Sequence, residues 1–318
     1  VIDFRYHLVS LIAVFLAVAL GIVIGTTQLN GPLTTNLQGQ VSNLQQDKRE
    51  LEGQTQQLQS RLNDVGGFEE AVGPTLVQNT LADRSVVLVI GNNDVPADVV
   101  EGITALLGAA GATVTGSVRL TSDYSDPQSE TNLQGYLAGP GLPPGVTLPP
   151  DTEDTGKMVA SVLAQVLMVP GAGDAGAGTT PDQTATSSVL AGLEELGALS
   201  SDTSSVSPAD FAVFLTAGAF PSQDAEARNA SLVQLVTALD RQGSGAVVAG
   251  DTASTGDGGL VAAIRGDATV SPAVSTVDNV DTAAGRVSTV LAAAAEGRDT
   301  SGAYGTGEDA QPVPPPAR

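Results

Sequence analysis

Residues 85–120, SVVLVIGNNDVPADVVEGITALLGAAGATVTGSVRL, decide the fold of the larger part of this chain. Ser85 to Ile90 is a short, unbroken apolar run, which reads as a strand buried on both faces. Ala97 to Ala110 has apolar residues at helical spacing and ends near Gly111, and Thr113 to Leu120 reads as a second strand. The order returns further on, with Phe211 to Thr216 as strand, Asp224 to Arg241 as helix and Ala246 to Ala249 as strand. A helical pattern from Thr282 to Ala295 closes the series. Short buried strands alternating with amphipathic helices predict an α/β body with a mainly parallel sheet, Rossmann-like or flavodoxin-like in three layers. Further helical segments run over about 152–169 and 182–196, and mobile loops are expected over about 139–150 and 171–181.

Upstream of this body, Leu8 to Ile24 (LVSLIAVFLAVALGIVI) contains no charged side chain. A stretch of about 17 to 20 such residues can cross a bilayer core of roughly 30 Å as a helix. The segment reads as an uncleaved anchor, with a cleaved signal peptide as the alternative because Ala17-Val18-Ala19 fits a small-residue cleavage pattern. Few Lys or Arg follow the span, so the expected orientation is N-terminus in the cytoplasm and body outside.

Gly31-Pro32 is expected to break the helix after the span, and a heptad pattern follows. Leu37, Leu44, Leu51, Leu58 and Val65 recur every seven residues, and the companion seam position holds Thr34, Val41, Lys48, Thr55 and Leu62. Apolar residues at one position of every heptad, with polar faces elsewhere, predict a coiled-coil stalk of about 45 Å that joins two copies. The alternative is a single amphipathic helix lying on the body. Gly66-Gly67 is expected to end the stalk. The expected organisation is an anchor over 1–30, a stalk over 31–67, an α/β domain over 68–306 and a disordered, Pro-rich tail over 307–318.

Composition removes several chemistries. Cysteine is absent, and His7 at the edge of the span is the single histidine, so Ser–His–Asp, Cys–His and His/Cys zinc systems cannot be built in the body. A formal net charge of -22 repels nucleic acid and anionic lipid. The turn Gly91-Asn92-Asn93-Asp94 lacks the spacing of a dinucleotide fingerprint and reads as a loop leaving the sheet. Asp151/Glu153/Asp154 and Asp278/Asp281 lack a calcium-loop spacing and read as solvated carboxylates. Asp251 and Asp257 are the nearest pair for glycoside chemistry, with no aromatic residue beside them to hold a sugar. Met158 and Met168, ten residues apart, read as core fillers.

The segment FRYHLVSLIAVFLAVALGIVIGTTQLNGP resembles the opening of the actinobacterial MctB family, named for copper transport. Ser275-Thr276-Val277-Asp278-Asn279-Val280-Asp281, Gly285-Arg286-Val287 and Tyr304-Gly305-Thr306-Gly307 are similar to the same family. The resemblance implies copper export or homeostasis across the envelope, with members described as outer-membrane channel proteins. Related SteB proteins are described as partners of the cytoplasmic protein SteA and as acting on peptidoglycan hydrolases, which implies partners of those kinds. The residues themselves supply little for copper, which prefers thiolate, thioether or imidazole. Nor do short continuous apolar strands make a membrane barrel wall.

The resulting expectation is a non-enzymatic, single-pass envelope protein without catalytic, cofactor or metal residues, with copper entering only through the resemblance. It is held in the membrane through residues 8–24 and dimerises along Leu37, Val41, Leu44, Leu51, Leu58, Leu62 and Val65. Its body is expected to position cell-wall or cell-separation machinery, with copper handling as the alternative.

Overall fold

A computed structural model of the chain describes residues 4–139, 142–150, 153–171, 181–201, 203, 205–221, 223–311 and 314–317, with the backbone alone over 26–38. The chain divides into two compact units, Val1–Val65 and Gly66–Arg318, which are taken separately. Helix α1 is assigned over Phe4–Val77.

Within the first unit, Phe4–Gly25 is long and apolar enough to cross a membrane, and its side chains face outward. The expected break at Gly31-Pro32 does not occur, because both residues lie in helical backbone. Proline lacks a backbone N–H and its ring crowds the carbonyl one turn back, so the helix passes this site against the local preference. Local pairs support the stalk, including Lys48–Glu52 at 3.4 Å and the Gln54 amide donating to Glu50 at 3.4 Å.

In the second unit, α1 does not stop at Gly66-Gly67 but runs on to Val77. Two glycines cost a helix about 1 kcal/mol each relative to alanine. Packing of the last turns outweighs that cost: Val77 is fully buried, and the Glu70 carboxylate accepts from Arg286 at 3.2 Å.

The body then alternates as expected: β1 (Ser85–Ile90), α2 (Ala97–Ala109), β2 (Thr113–Leu120), α3 (Glu130–Ala138), α4 (Thr155–Leu167) and α5 (Gln183–Glu195). It continues with β3 (Leu199–Ser201), β4 (Phe211–Thr216), α6 (Ala225–Gln242), β5 (Ala246–Gly250), α7 (Leu260–Gly266), β6 (Ser275–Val277), α8 (Ala283–Glu296) and β7 (Ala303–Tyr304). The sheet order is β3-β2-β1-β4-β5-β6-β7, with β3 alone antiparallel. Its first five parallel strands in chain order lie as 2-1-3-4-5. Of the two doubly wound orders left open by the sequence, this is the flavodoxin-like one.

Strand alternation splits the core in two. Val87 and Val89, with Phe214 and Val248, pack under α4, α6 and α7, while Val86, Leu88 and Ile90, with Val213 and Val247, pack under α2 and α8. Met168 is buried in the first layer and Met158 packs at its edge, as core fillers do. Gly111 ends the α2 turn with φ 85, a left-handed conformation that favours glycine.

The segment after α8 differs from expectation. A disordered tail is expected from residue 307, but the Gln311 N–H donates to Ala303 and its carbonyl accepts from Gly305, and the Arg298 side chain donates to Pro316. Main-chain hydrogen bonding to a strand edge holds this Pro-rich stretch, a contact that composition does not report. The expected loop over 171–181 lies mostly outside the described residues, as do Asp151 and residues 312–313. In the 139–150 loop, Val146 is buried and the Gln165 side chain brackets both polar main-chain atoms of Thr147.

Candidate functional site

In a doubly wound sheet the usual ligand crevice lies beyond the carboxyl ends of the strands where the winding reverses, here between β1 and β4. Protein atoms bridge it. The Asn92 amide donates to the Ala217 carbonyl at 2.7 Å, and the Gly91 N–H donates to Leu215 at 2.7 Å. A side chain at Gly91 would meet the Phe214 ring at 2.5 Å, so this glycine permits close packing inside the protein. Asp251 is used structurally as well, accepting from the Gly218 and Ser254 N–H groups at 2.9 and 3.0 Å.

The other acids also separate by role. Asp154 caps α4 and accepts from Gln234 at 3.0 Å. Asp281 is exposed, whereas Asp278 is 1% exposed, so the two do not form one cluster. Among the described residues, no group of three or more His, Cys, Asp or Glu side chains is placed to hold a metal ion.

Asp278 instead organises the family-like motifs. Its carboxylate pairs with Arg265 at 2.8 Å and accepts from the Thr306 and Gly307 N–H groups at 2.7 and 3.1 Å. Arg265 also donates to Thr276 at 2.9 Å and to the Tyr304 carbonyl at 3.1 Å. A side chain on Gly305 would collide with the Asp278 carboxylate. The Ser275–Asp281 and Tyr304–Gly307 stretches thus meet around the buried Asp278 carboxylate, a latch that docks the C-terminal segment on the sheet. By sequence alone Asp278 reads as a solvated acid. Its latch partners lie 13 to 29 residues away in sequence, so local pattern could not reveal them.

Beside the latch lies an open groove of about 720 Å³. Its lining includes Phe68, Val72 and Leu76 of α1, Val287 of α8, and Ala310 and Pro314 of the C-terminal segment. Phe68 is 68% exposed and Leu76 53% exposed, large apolar surface for an acidic domain. The Asn279 carboxamide borders the groove at 8% exposure, and its Oδ1 has no hydrogen-bond partner.

A second polar cavity sits at the opposite end of the sheet, with Asp240, Glu296, Asp299 and Arg84 on its wall. Burial pushes Asp240 up to about 6 against the opposing hydrogen bond from the Ala246 N–H and the charge of Arg241. Burial pushes Glu296 up to about 7, reinforced by the nearby charges of Asp240 and Asp299 and opposed by the bond from Ser275. Folded-state values above the unfolded ones mean that folding takes up protons. This contribution is complete below the unfolded carboxylate range and is lost as pH rises through about 6 to 7. The urea midpoint of the body is therefore expected to rise between pH 8 and pH 5. Glu296→Gln, which keeps an acceptor for Ser275, is expected to raise the midpoint at pH 8 and flatten this dependence. A wild-type midpoint that falls over the same range contradicts the assignment.

In the first unit, the described part of the predicted seam is exposed. Val41, Leu44, Leu51, Leu58, Leu62 and Val65 are 52–70% exposed along α1. Leu37 lies in helical backbone, with its side chain outside the described residues. His7 lies in the apolar helix segment, away from any other imidazole or thiol by composition.

Comparison with known proteins matches nearly the whole chain. Residues 1–315 fit the family model described as copper transport outer membrane protein, MctB. The proteins named copper transporter MctB from Mycobacterium bovis and Mycobacterium tuberculosis are 31% identical over 315 residues, covering 98% of each chain. The Mycobacterium leprae protein of the same name is 31% identical over 300 residues, covering 91% of each. With its apolar N-terminal helix and α/β body, this chain is a membrane-associated envelope protein that belongs to the MctB family.

Proposed function

We propose that the chain is a membrane-anchored, self-associating envelope protein that serves copper handling through an assembly of chains, with no turnover of its own. The observation that carries this reading is the exposed heptad seam from Val41 to Val65. A row of leucines in water is costly, and pairing with a second copy removes it. Anchoring by Phe4–Gly25 with the body outside the cytoplasm puts two such helices side by side and parallel.

The copper part rests on the relatives' names. A net charge of -22 draws cations to the body, an attraction that every divalent ion shares. Selectivity for copper comes from soft or imidazole ligands, and this chain has no Cys and buries Met168. That inventory favours a second reading, in which the body holds cell-separation machinery such as a peptidoglycan hydrolase, while a SteA-like partner meets the chain on the cytoplasmic side.

One experiment addresses both. Cellular copper under copper stress is compared among cells with the chain intact, deleted, or carrying Leu44→Asp with Leu51→Asp. A several-fold rise on deletion, matched by the seam variant, is the expected result. Unchanged copper with unseparated cells replaces the first reading by the second. A rise on deletion alone removes self-association from the mechanism.

A further inference from the structure

We propose that the groove beside the Asp278 latch receives the matching turns of a second copy, so that self-association extends through Val72 and Leu76 into the body. The inference rests on the seam reading above and adds the surface that completes it. Counting in sevens from Val65 reaches Val72, and counting from Leu62 reaches Glu69 and Leu76. All three of these positions line the groove, with exposed Phe68 flanking them. The seven-residue spacing of the seam thus continues in sequence into residues that line the groove, together with Val287, Ala310 and Pro314.

The groove volume, about 720 Å³, is ample for the Phe68 ring and neighbouring aliphatic groups of a second copy. Two-fold pairing places like positions near each other, so exposed apolar turns cover each other. Glu69 holds one of these seam positions, and the like charges of a pair repel there. The apolar contribution to the pairing comes from Phe68, Val72 and Leu76.

The absence of native cysteine makes crosslinking direct. Single variants Leu58→Cys, Val72→Cys and Glu101→Cys are made in the full chain in membranes and treated with diamide. Leu58 lies in the seam, Val72 in the groove wall and Glu101 on the exposed side of α2. The expected result is a covalent dimer from the first two variants and none from the third. Adding Phe68→Glu, a change at an exposed side chain, is expected to lower the yield at 72 several-fold and leave the yield at 58 unchanged. A dimer at 58 with none at 72 overturns the proposal and assigns the groove to another molecule. No dimer at either position removes the seam reading itself, and the extension with it. A yield at 72 indifferent to Phe68→Glu also counts against the groove.

Discussion

Leu44→Asp combined with Leu51→Asp is expected to leave the full-length chain monomeric in detergent, as measured by sedimentation equilibrium. Both side chains are more than half exposed in the single chain, so the substitutions remove nothing from the fold of one copy. In a pair they remove four seam leucines, each contributing about 1.5–3 kcal/mol by burial. Four carboxylates then face one another in a desolvated seam, which raises the cost further. The dissociation constant is expected to rise more than about a thousand-fold, equivalent to about 4.1 kcal/mol. Gln46→Asp with Gln56→Asp, on the polar faces of the same helix, is the matched control and is expected to keep the pair. Equal self-association in the two double variants would falsify the coil and leave the leucines as an unexplained apolar stripe.

Asp278→Ala is expected to give the largest loss of stability of any single carboxylate change in the body. The substitution leaves the Arg265 guanidinium nearly buried without its 2.8 Å partner and orphans the Thr306 and Gly307 N–H groups. Breaking one side of a buried ion pair costs about 3–5 kcal/mol because the remaining charge stays desolvated. At about 2–4 °C per kcal/mol for a domain of this size, the thermal midpoint is expected to fall by roughly 10 °C. Tyrosine fluorescence reads the body directly, since Tyr124, Tyr136 and Tyr304 lie within it. Asp281→Ala, at an exposed carboxylate three residues away, is expected to change stability by no more than about 0.5 kcal/mol. Equal midpoints for the two variants contradict the latch.

These two results divide along what local pattern can report. Uncharged Leu8–Ile24 and the seven-residue recurrence of leucine need only composition and spacing to be read, and both appear as helix, with outward side chains over Leu8–Ile24 and from Val41 to Val65. The long strands were legible for the same reason, because Ser85–Ile90 and Phe211–Thr216 are buried on both faces and carry no polar interruption. The shortest strands were not. Leu199–Ser201, Ser275–Val277 and Ala303–Tyr304 are two or three residues long and exist through pairing with a neighbour already in place.

Helix limits show the same division. Gly31-Pro32 and Gly66-Gly67 carry strong breaker preferences, worth about 1 kcal/mol for each glycine and about 3 kcal/mol for proline. Burial of Val77 and the Glu70–Arg286 pair are enough to carry α1 past the second site, and neither is visible in a window around residue 66.

By itself, then, the sequence determined the apolar N-terminal helix, the leucine seam, the alternation that makes an α/β body, and the lack of thiol and imidazole chemistry in that body. Each depends on the identity or spacing of neighbouring residues, which the chain carries before it folds. Only the tertiary structure decided that the strands follow the flavodoxin-like order, that Phe214 packs tightly against Gly91, and that Asp278 is a buried latch rather than a solvated acid. It also decided that α1, α8 and the C-terminal segment leave an apolar groove between them. These features arise where residues distant in sequence meet, because burial and hydrogen-bond pairing act on proximity in space, and the order of residues along a chain does not record it.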